Sequence, residues 1–510
     1  MRLFKNASLM SAGSPETIAS TRASLKSRTR WIGLRGASAT ALGLLAASAG
    51  ISFAAGAHAA SSPSCTVQET NYGGWKAEQL ANQWVKLEIV PQLAGRLMQV
   101  TFGDHDFLFV NDQLKGQYNP PDAAQHRWYN YGGDKIWPMP EGSQDEQHWA
   151  GAGGEPLDDM PFELQVLSKG TTCAVRLTGP ADPQIGQQYI RDISITGDSP
   201  AISFHAVMKN VSGYPQSWSE QSVSQYNAAA PGDSTTFNPD FWGVTPANPA
   251  SSYLNGFHVR TGTAGNSGYS VADGLFRVHW NNMGGEVWID SPGGWVAVVD
   301  GTTNYTMVER MKYQPTANYP DKTTVIFFTT GARNRPQPPA AAPPAGAPNA
   351  AQAAGPVRPP IYYMEAEVNS PVVELAPGES YAMDTEWYPT RMGSDFKTTT
   401  YSGAVGQPLA VAGTPNGLVL TGSFGVFYSG QLVAHFYNRG GEAIGTAPAG
   451  DVAPLQPVNL QATVQAPPET ARVSLHVVDA QGLDRGPLGE AFVNPPPPAP
   501  QGRGGGGDGQ

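Results

Sequence analysis

From residue 60 onward this chain has no run that keeps a helical hydrophobic period over a useful length; short alternating runs follow one another instead. Over 84–90, Val85, Leu87 and Ile89 alternate with Lys86 and Glu88, the pattern of a strand with one face buried. Turn residues punctuate the runs: Gly95 before Arg96, then Gly103 to Asp106, then Gly197 to Pro200. Further strands are expected over 97–102, 107–110, 162–167, 173–178, 189–196, 201–209, 285–290, 295–300, 361–368 and 381–388. Fifty-nine glycines and 45 prolines supply turns in the number such a meander needs, so the chain reads as all-β.

The first 59 residues stand apart. They hold Arg2, Lys5, Arg22, Lys26, Arg28, Arg30 and Arg35 against one acid, Glu16, and close with a Gly/Ala/Leu-rich run ending Ala57-His58-Ala59. That is the pattern of a secretory leader, so export to the periplasm or cell exterior is expected, with no membrane span in the mature chain. Cys65 and Cys173 are then candidates for one disulfide, and the sequence leaves their pairing open. No Cys-x-x-Cys and no histidine pair at zinc spacing occurs, and no metal or other cofactor is expected. A formal charge of −11 argues against nucleic acid as a partner, and the oligomeric state is not legible.

The layout expected is a leader at 1–59, a linker at 60–71, a large β domain at 72–395, a smaller one at 396–494 and a Pro/Gly tail at 495–510. The stretch 333–360 is Pro/Ala-rich, too poor in apolar residues to fold, and reads as an insertion inside the large domain. Strand text over 417–421, 430–438 and 471–479 makes the smaller domain an immunoglobulin-like sandwich without the cysteine pair.

One stretch, Trp128 to Gly142, fits neither period: it crowds Trp128, Tyr129, Asn130, Tyr131, Asp134, Lys135 and Trp137 around Gly132 and Gly133. It reads as a shaped loop presenting rings and fixed polar groups. Sugars need that combination, because their C–H faces stack on rings while their hydroxyls need aimed donors and acceptors. An aromatic plug packed under the loop is the alternative.

Four pieces in order resemble the galactose mutarotase-like (aldose 1-epimerase-like) superfamily, and within it an uncharacterised family. They are Leu87 to Arg96, with its Pro-Gln-Leu-Ala-Gly-Arg turn; Asn130 to Pro138; Phe204 to Gly213, containing Asn210, Val211 and Ser212; and Met364 to Glu367, followed by Pro377 to Ser380 and Trp387. The resemblance covers about 72–392 and implies a galactose mutarotase-like β-supersandwich, two large antiparallel sheets with a sugar cleft on one. It also implies a glutamate base on a late strand, at Glu365 or Glu367, which share a face two residues apart. Mutarotases place an acid histidine after the Asn-x-Ser strand; here 217–224 has none, and Glu220 is the candidate acid. This departure argues against simple aldose 1-epimerase activity.

Trp128, Asn130 and Trp137 are candidate walls for a ligand, and of the neighbours Asp134 and Lys135 only one can face it. Arg96 and Lys312 are candidates for holding a carboxylate such as a uronate's. The reading is an exported protein that binds, and in one version modifies, a sugar or uronate as an epimerase, lyase or hydrolase. The alternative is a structural or adhesive envelope protein with a vestigial cleft.

Overall fold

The computed structural model describes residues 64–121, 128–141, 148–149, 151–152, 156–182, 184–331 and 360–494. The expected leader, the tail, and all of the Pro/Ala insertion except Pro360 lie outside these. Two large sheets, antiparallel throughout, make up the body. The first has twelve strands, with the central order Arg96–Phe102, Asp134–Met139, Gln216–Asn227, Tyr363–Asn369, Val325–Thr329, Gly285–Ile289. The second has ten, with Tyr305–Met311, Ser380–Thr390, Ile202–Asn210 and Gln187–Thr196 at its centre.

Alternation explains how they meet. Leu87, Leu97, Val100 and Phe102 of the first sheet and Val175, Ile193, Phe204, Met307 and Trp387 of the second form one buried cluster, so each sheet turns its apolar side to the other. A disulfide between Cys65 and Cys173 joins the edge of one sheet to a strand of the other. Among the described residues no helix is long and apolar enough to cross a membrane.

The expected loop at 128–142 is only partly a loop. Residues Asp134–Met139 form a strand in the middle of the first sheet, in register with Ser224 through Ser219. Two features hid it from the sequence: Pro138 lacks a ladder donor, and the inward face of the strand carries the charge of Asp134. The Gly pair turns the chain into this strand. Gly132 and Gly133 have φ of 92° and 78°, and a Cβ on Gly132 would sit 2.0 Å from the Phe109 carbonyl oxygen. Before the turn, Tyr131 packs edge-on to Trp75 in a cluster with Ala77, Val90 and Met98, so that half of the stretch is indeed an aromatic plug.

Between the sheets lies a polar seam. Asp134 is paired with Arg191 of the second sheet and accepts a hydrogen bond from Ser224 at 3.1 Å. Tyr226 donates to Glu309 across the gap. Arg191 lies over the Phe204 ring at 4.5 Å. Burial pushes Glu309 up to about 8 and raises Asp134, for which Arg191 offsets part of the shift.

Residues 398–494 add nine further strands with their own core, including Leu420, Phe424, Leu432, Phe436, Val473 and Leu475. One parallel pairing, Ala410–Thr414 with Asp484–Asn494, sets this sheet apart from the other two. A further apolar cluster, with Trp242, Trp295, Tyr388, Phe396 and Phe427, runs across residue 396, and Thr390 Oγ1 donates to the Val426 carbonyl at 3.2 Å. The chain is thus continuous in packing where the sequence suggested a boundary.

The seam sets a pH dependence. Glu309 is raised from 4.5 to about 8, so the folded chain holds a proton there that the unfolded chain releases above pH 4.5. Stability from this group is complete below pH 4.5 and is lost as pH rises to about 8. Thermal unfolding between pH 5 and 8.5 is expected to show stability falling with pH, and Glu309→Gln is expected to remove about 1 kcal/mol per pH unit of that slope. An unchanged slope in the variant would contradict the assignment.

Candidate functional site

The outer face of the twelve-stranded sheet gathers most of the chemistry. Strand register lays side chains across it in rows. One row runs Lys135, Val223, Glu367, Ile326, Trp288; the next runs Gln225, Glu365, Phe328, Glu286. A third pairs Trp137 with Gln221 and Gln221 with Asn369.

The two carboxylates at the centre are held from below by amides. Gln221 donates to Glu367 at 2.6 Å and Gln225 to Glu365 at 2.7 Å. Lys135 Nζ lies 3.7 Å from Glu365 and 4.3 Å from the centroid of the Trp137 ring, and makes no hydrogen bond among the described residues. Glu286 accepts the indole N–H of Trp288, and Glu141, after the central strand, stands exposed at the rim. Glu365 and Glu367 therefore act on one buried ammonium, joined by Asp158 and Arg96, while Arg260, over Trp288 at 5.3 Å, acts on Glu286 and Glu141. Burial raises Glu367 well above the usual carboxylate range, and Glu365, Glu286 and Glu141 push it further. Glu286 is raised by burial and by Glu365, and burial lowers Lys135. At Glu141 the protein crowding the carboxyl, together with Glu286 and Glu365, raises it to about 7 although the residue as a whole remains exposed. The floor is nearly closed: Glu365 and Glu367 each keep 7% of their surface and Lys135 3%.

A buried carboxylate braces the aromatic side. Asp158, in the short helix Pro156–Asp159, accepts from the Arg96 guanidinium at 2.6 Å, the Trp137 indole at 2.8 Å and the Trp128 indole at 3.2 Å. Trp137 also packs against Trp149, centroids 5.1 Å apart. One carboxylate thus sets the orientation of both tryptophans.

Of the residues singled out from sequence, Glu365, Glu367, Lys135 and Trp137 converge here, with Trp128 tied to them through Asp158. The others do not. Asp134 and Glu220 point to the opposite face, into the seam; Glu220 is fully buried near Arg191, Tyr189 and the Met383 backbone, and burial holds it well above the usual carboxylate range. Its place in strand Gln216–Asn227 makes this unavoidable, since Gln221, Val223 and Gln225 take the outer face. Arg96 is spent on Asp158 and fully buried, so it has no charge to offer a ligand carboxylate. Asn130 Oδ1 accepts from the Gly132 N–H at 3.1 Å and shapes the turn.

Lys312 lies on the other sheet, in an open groove with Arg310, His205, Asp384 and Tyr401. That groove is roomier, but much of its charge is already paired: His205 with Asp384 at 2.7 Å and Asp192 with Arg176 at 2.7 Å. The glutamate cluster retains more unmet charge.

Asp158, Gln221, Gln225, Glu286 and Trp288 were not singled out from sequence. The Gln-x-Val-x-Gln alternation of 221–225 is the one signal that could have marked the amides as sharing a face. Replacing Asp158 by Asn leaves the Arg96 guanidinium buried without its counter-charge, which is expected to cost about 3 kcal/mol or more in denaturant unfolding and to shift the tryptophan emission of the folded state. Wild-type stability in that variant would mean the carboxylate does not brace the wall.

No family model matches this chain, and no curated protein matches it. Among solved structures it is similar to a TPR-domain containing protein from Parabacteroides distasonis ATCC 8503, at 14% identity and a TM-score of 0.40, over 66% of this chain and 55% of that one. It therefore spans about half the length of that relative. It is also similar to a putative mutarotase from Salmonella typhimurium, at 10% identity and 0.41, over 64% of this chain and 94% of that one. A third is a galactose mutarotase-like protein from Clostridium acetobutylicum, at 10% identity and 0.40, over 64% and 99%. Galactose mutarotase-like proteins are thus among its structural neighbours, and at these values the likeness bears on no activity.

Proposed function

We propose that the outer face of the twelve-stranded sheet binds a carbohydrate, and that Glu365 and Glu367 are its base and acid. The observation that carries this reading is the row geometry. It sets an acid pair, each member held by its own glutamine, beside a braced tryptophan wall and one ammonium. Rings to stack on and carboxylates to move protons are what a sugar ring and its hydroxyls call for. Residues i and i+2 of one strand stand about 7 Å apart, a span that brackets a sugar ring carbon. In this mechanism Glu367, whose carboxyl burial and the neighbouring glutamates push well above the usual range, donates its proton to a ring or bridging oxygen. Glu365, beside Lys135, accepts the proton of a hydroxyl or of water. That chemistry is common to epimerases and hydrolases, and it does not require the acid histidine that this chain lacks.

Electrostatics favours a neutral or amino sugar over a uronate. The two cations expected to hold a uronate carboxylate are elsewhere, Arg96 on Asp158 and Lys312 on the other sheet, while four glutamates surround the floor. A uronate would bring a further negative charge to a face where carboxyl groups outnumber the cations Lys135 and Arg260. The Cys65–Cys173 disulfide supports an exported protein, because such bonds persist in oxidising compartments.

The competing reading, an envelope protein with a vestigial cleft, draws on the near closure of the floor. Calorimetry with panels of neutral, amino and uronic oligosaccharides separates the two. We expect binding of a neutral or amino sugar and at least tenfold weaker binding of the matching uronate at low salt, the gap narrowing as salt screens it. For the bound sugar, Glu365→Gln is expected to abolish turnover, at least a hundredfold, while changing affinity less than tenfold. No binding at millimolar concentration, or a preference for the uronate, would overturn the proposal.

A further inference from the structure

We propose that His435, His476 and Asp484 form a site for one divalent transition-metal ion on the C-terminal domain. Strand alternation makes the two histidines solvent-side residues. In Gly430–Tyr437 the buried positions are Leu432, Ala434 and Phe436, and in Arg472–Asp479 the buried apolar ones are Val473, Leu475 and Val477, with Ser474 also buried on the histidine face. His435 and His476 take the other face of each strand, so neither is there to fill a core. Register opposes His435 to Ser474, which sets His476 one diagonal away, and the rings stack at 4.1 Å between centroids. Asp484 opens the next strand and accepts from His476 Nδ1 at 2.8 Å.

One donor atom from each of the three residues lies within 4.8 Å of the others, the only group of three or more such residues found among the described ones. A four-coordinate zinc with ligand bonds of about 2.0–2.2 Å holds its donors roughly 3.5 Å apart, so small rotations of the half-buried histidines and the exposed Asp484 would close the set. Two imidazoles and one carboxylate leave a further position for water. Nitrogen donors select zinc, copper, nickel or cobalt over calcium and magnesium.

The surroundings suit an ion. His435 has no hydrogen bond among the described residues, so its ring nitrogens are not already taken by a protein partner, and its ring stacks on His476. Ser474 Oγ lies 2.9 Å from His476 Nε2. When an ion takes Nδ1, the ring proton sits on Nε2 and is donated to that hydroxyl, the outer contact that orients a ligating histidine. Asp484 is then released from His476 to face the ion. The titratable groups acting on His435 are His476 and Asp484. No motif marks this site, because the two histidines are far apart along the chain and meet only through strand pairing.

The test is titration of the full chain with Zn²⁺ by calorimetry at pH 7.5, with Co²⁺ absorption as a coordination readout. One ion per chain is expected, with affinity falling at least thirtyfold in His435→Ala and in His476→Ala and at least fivefold in Asp484→Asn. His205→Ala, a histidine elsewhere, is expected to leave it unchanged. Affinity is expected to fall at least a hundredfold by pH 5.5, because metal binding at histidine nitrogens competes with protons. Should a variant fold poorly, imidazole nitrogen NMR of the wild-type chain decides: zinc shifting the His435 and His476 resonances supports the site. No ion bound, binding kept in the double alanine variant, or shifts confined to other histidines would overturn it.

Discussion

Asp134 and Lys135 are neighbours in the chain and sit on opposite faces of one central strand, and the organisation of charge in this molecule depends on that step. Asp134 turns inward to Arg191 and becomes part of what joins the sheets; Lys135 turns outward to Glu365 and becomes part of the floor. A slip of one residue in the pairing of Asp134–Met139 with Gln216–Asn227 would exchange the two sets. It would carry an ammonium into the seam and a carboxylate onto a face already crowded with glutamates. The Gly132–Gly133 turn, which no residue with a Cβ could make against Phe109, holds that register from one end.

The two faces use the same chemistry to different ends. In the seam, Arg191 supplies the counter-charge to Asp134 and Tyr226 gives Glu309 a hydrogen-bond partner, so these buried groups are answered where little solvent reaches them. On the outer face four glutamates meet Lys135 and Arg260, and burial with the neighbouring carboxyl groups pushes Glu367 well above the usual carboxylate range. An imbalance of that kind costs stability, which is why the proposed ligand site is put on this face. Asp158 belongs to the architecture of that face without belonging to its proposed chemistry: by taking Arg96 and two indoles at once it fixes the wall and removes Arg96 as a partner for an acid.

Much of the fold was legible because it rests on alternation. Val85, Leu87 and Ile89 announce a half-buried strand, and the pairing of Glu365 with Glu367 on one face follows from a period of two. What was not legible depends on register between distant segments. Glu220 looked like a partner for those glutamates until pairing with Pro138 and the run Gln221-Ser222-Val223 put it on the reverse face. Asp158 carried no signal, since its meaning comes entirely from three donors spread over residues 96 to 137. The Asp134–Met139 strand was masked by its own proline and by a buried acid, the two features that most resemble loop text.

The most direct measurement is the indole N–H spectrum of the folded chain during titration with a neutral or amino oligosaccharide. If the outer face is the sugar floor, the Trp128, Trp137 and Trp288 resonances shift together and saturate, while Trp387, in the core between the sheets, stays in place. Shifts confined to tryptophans off that face, such as Trp242 or Trp295, would contradict the account, as would no shift at millimolar sugar.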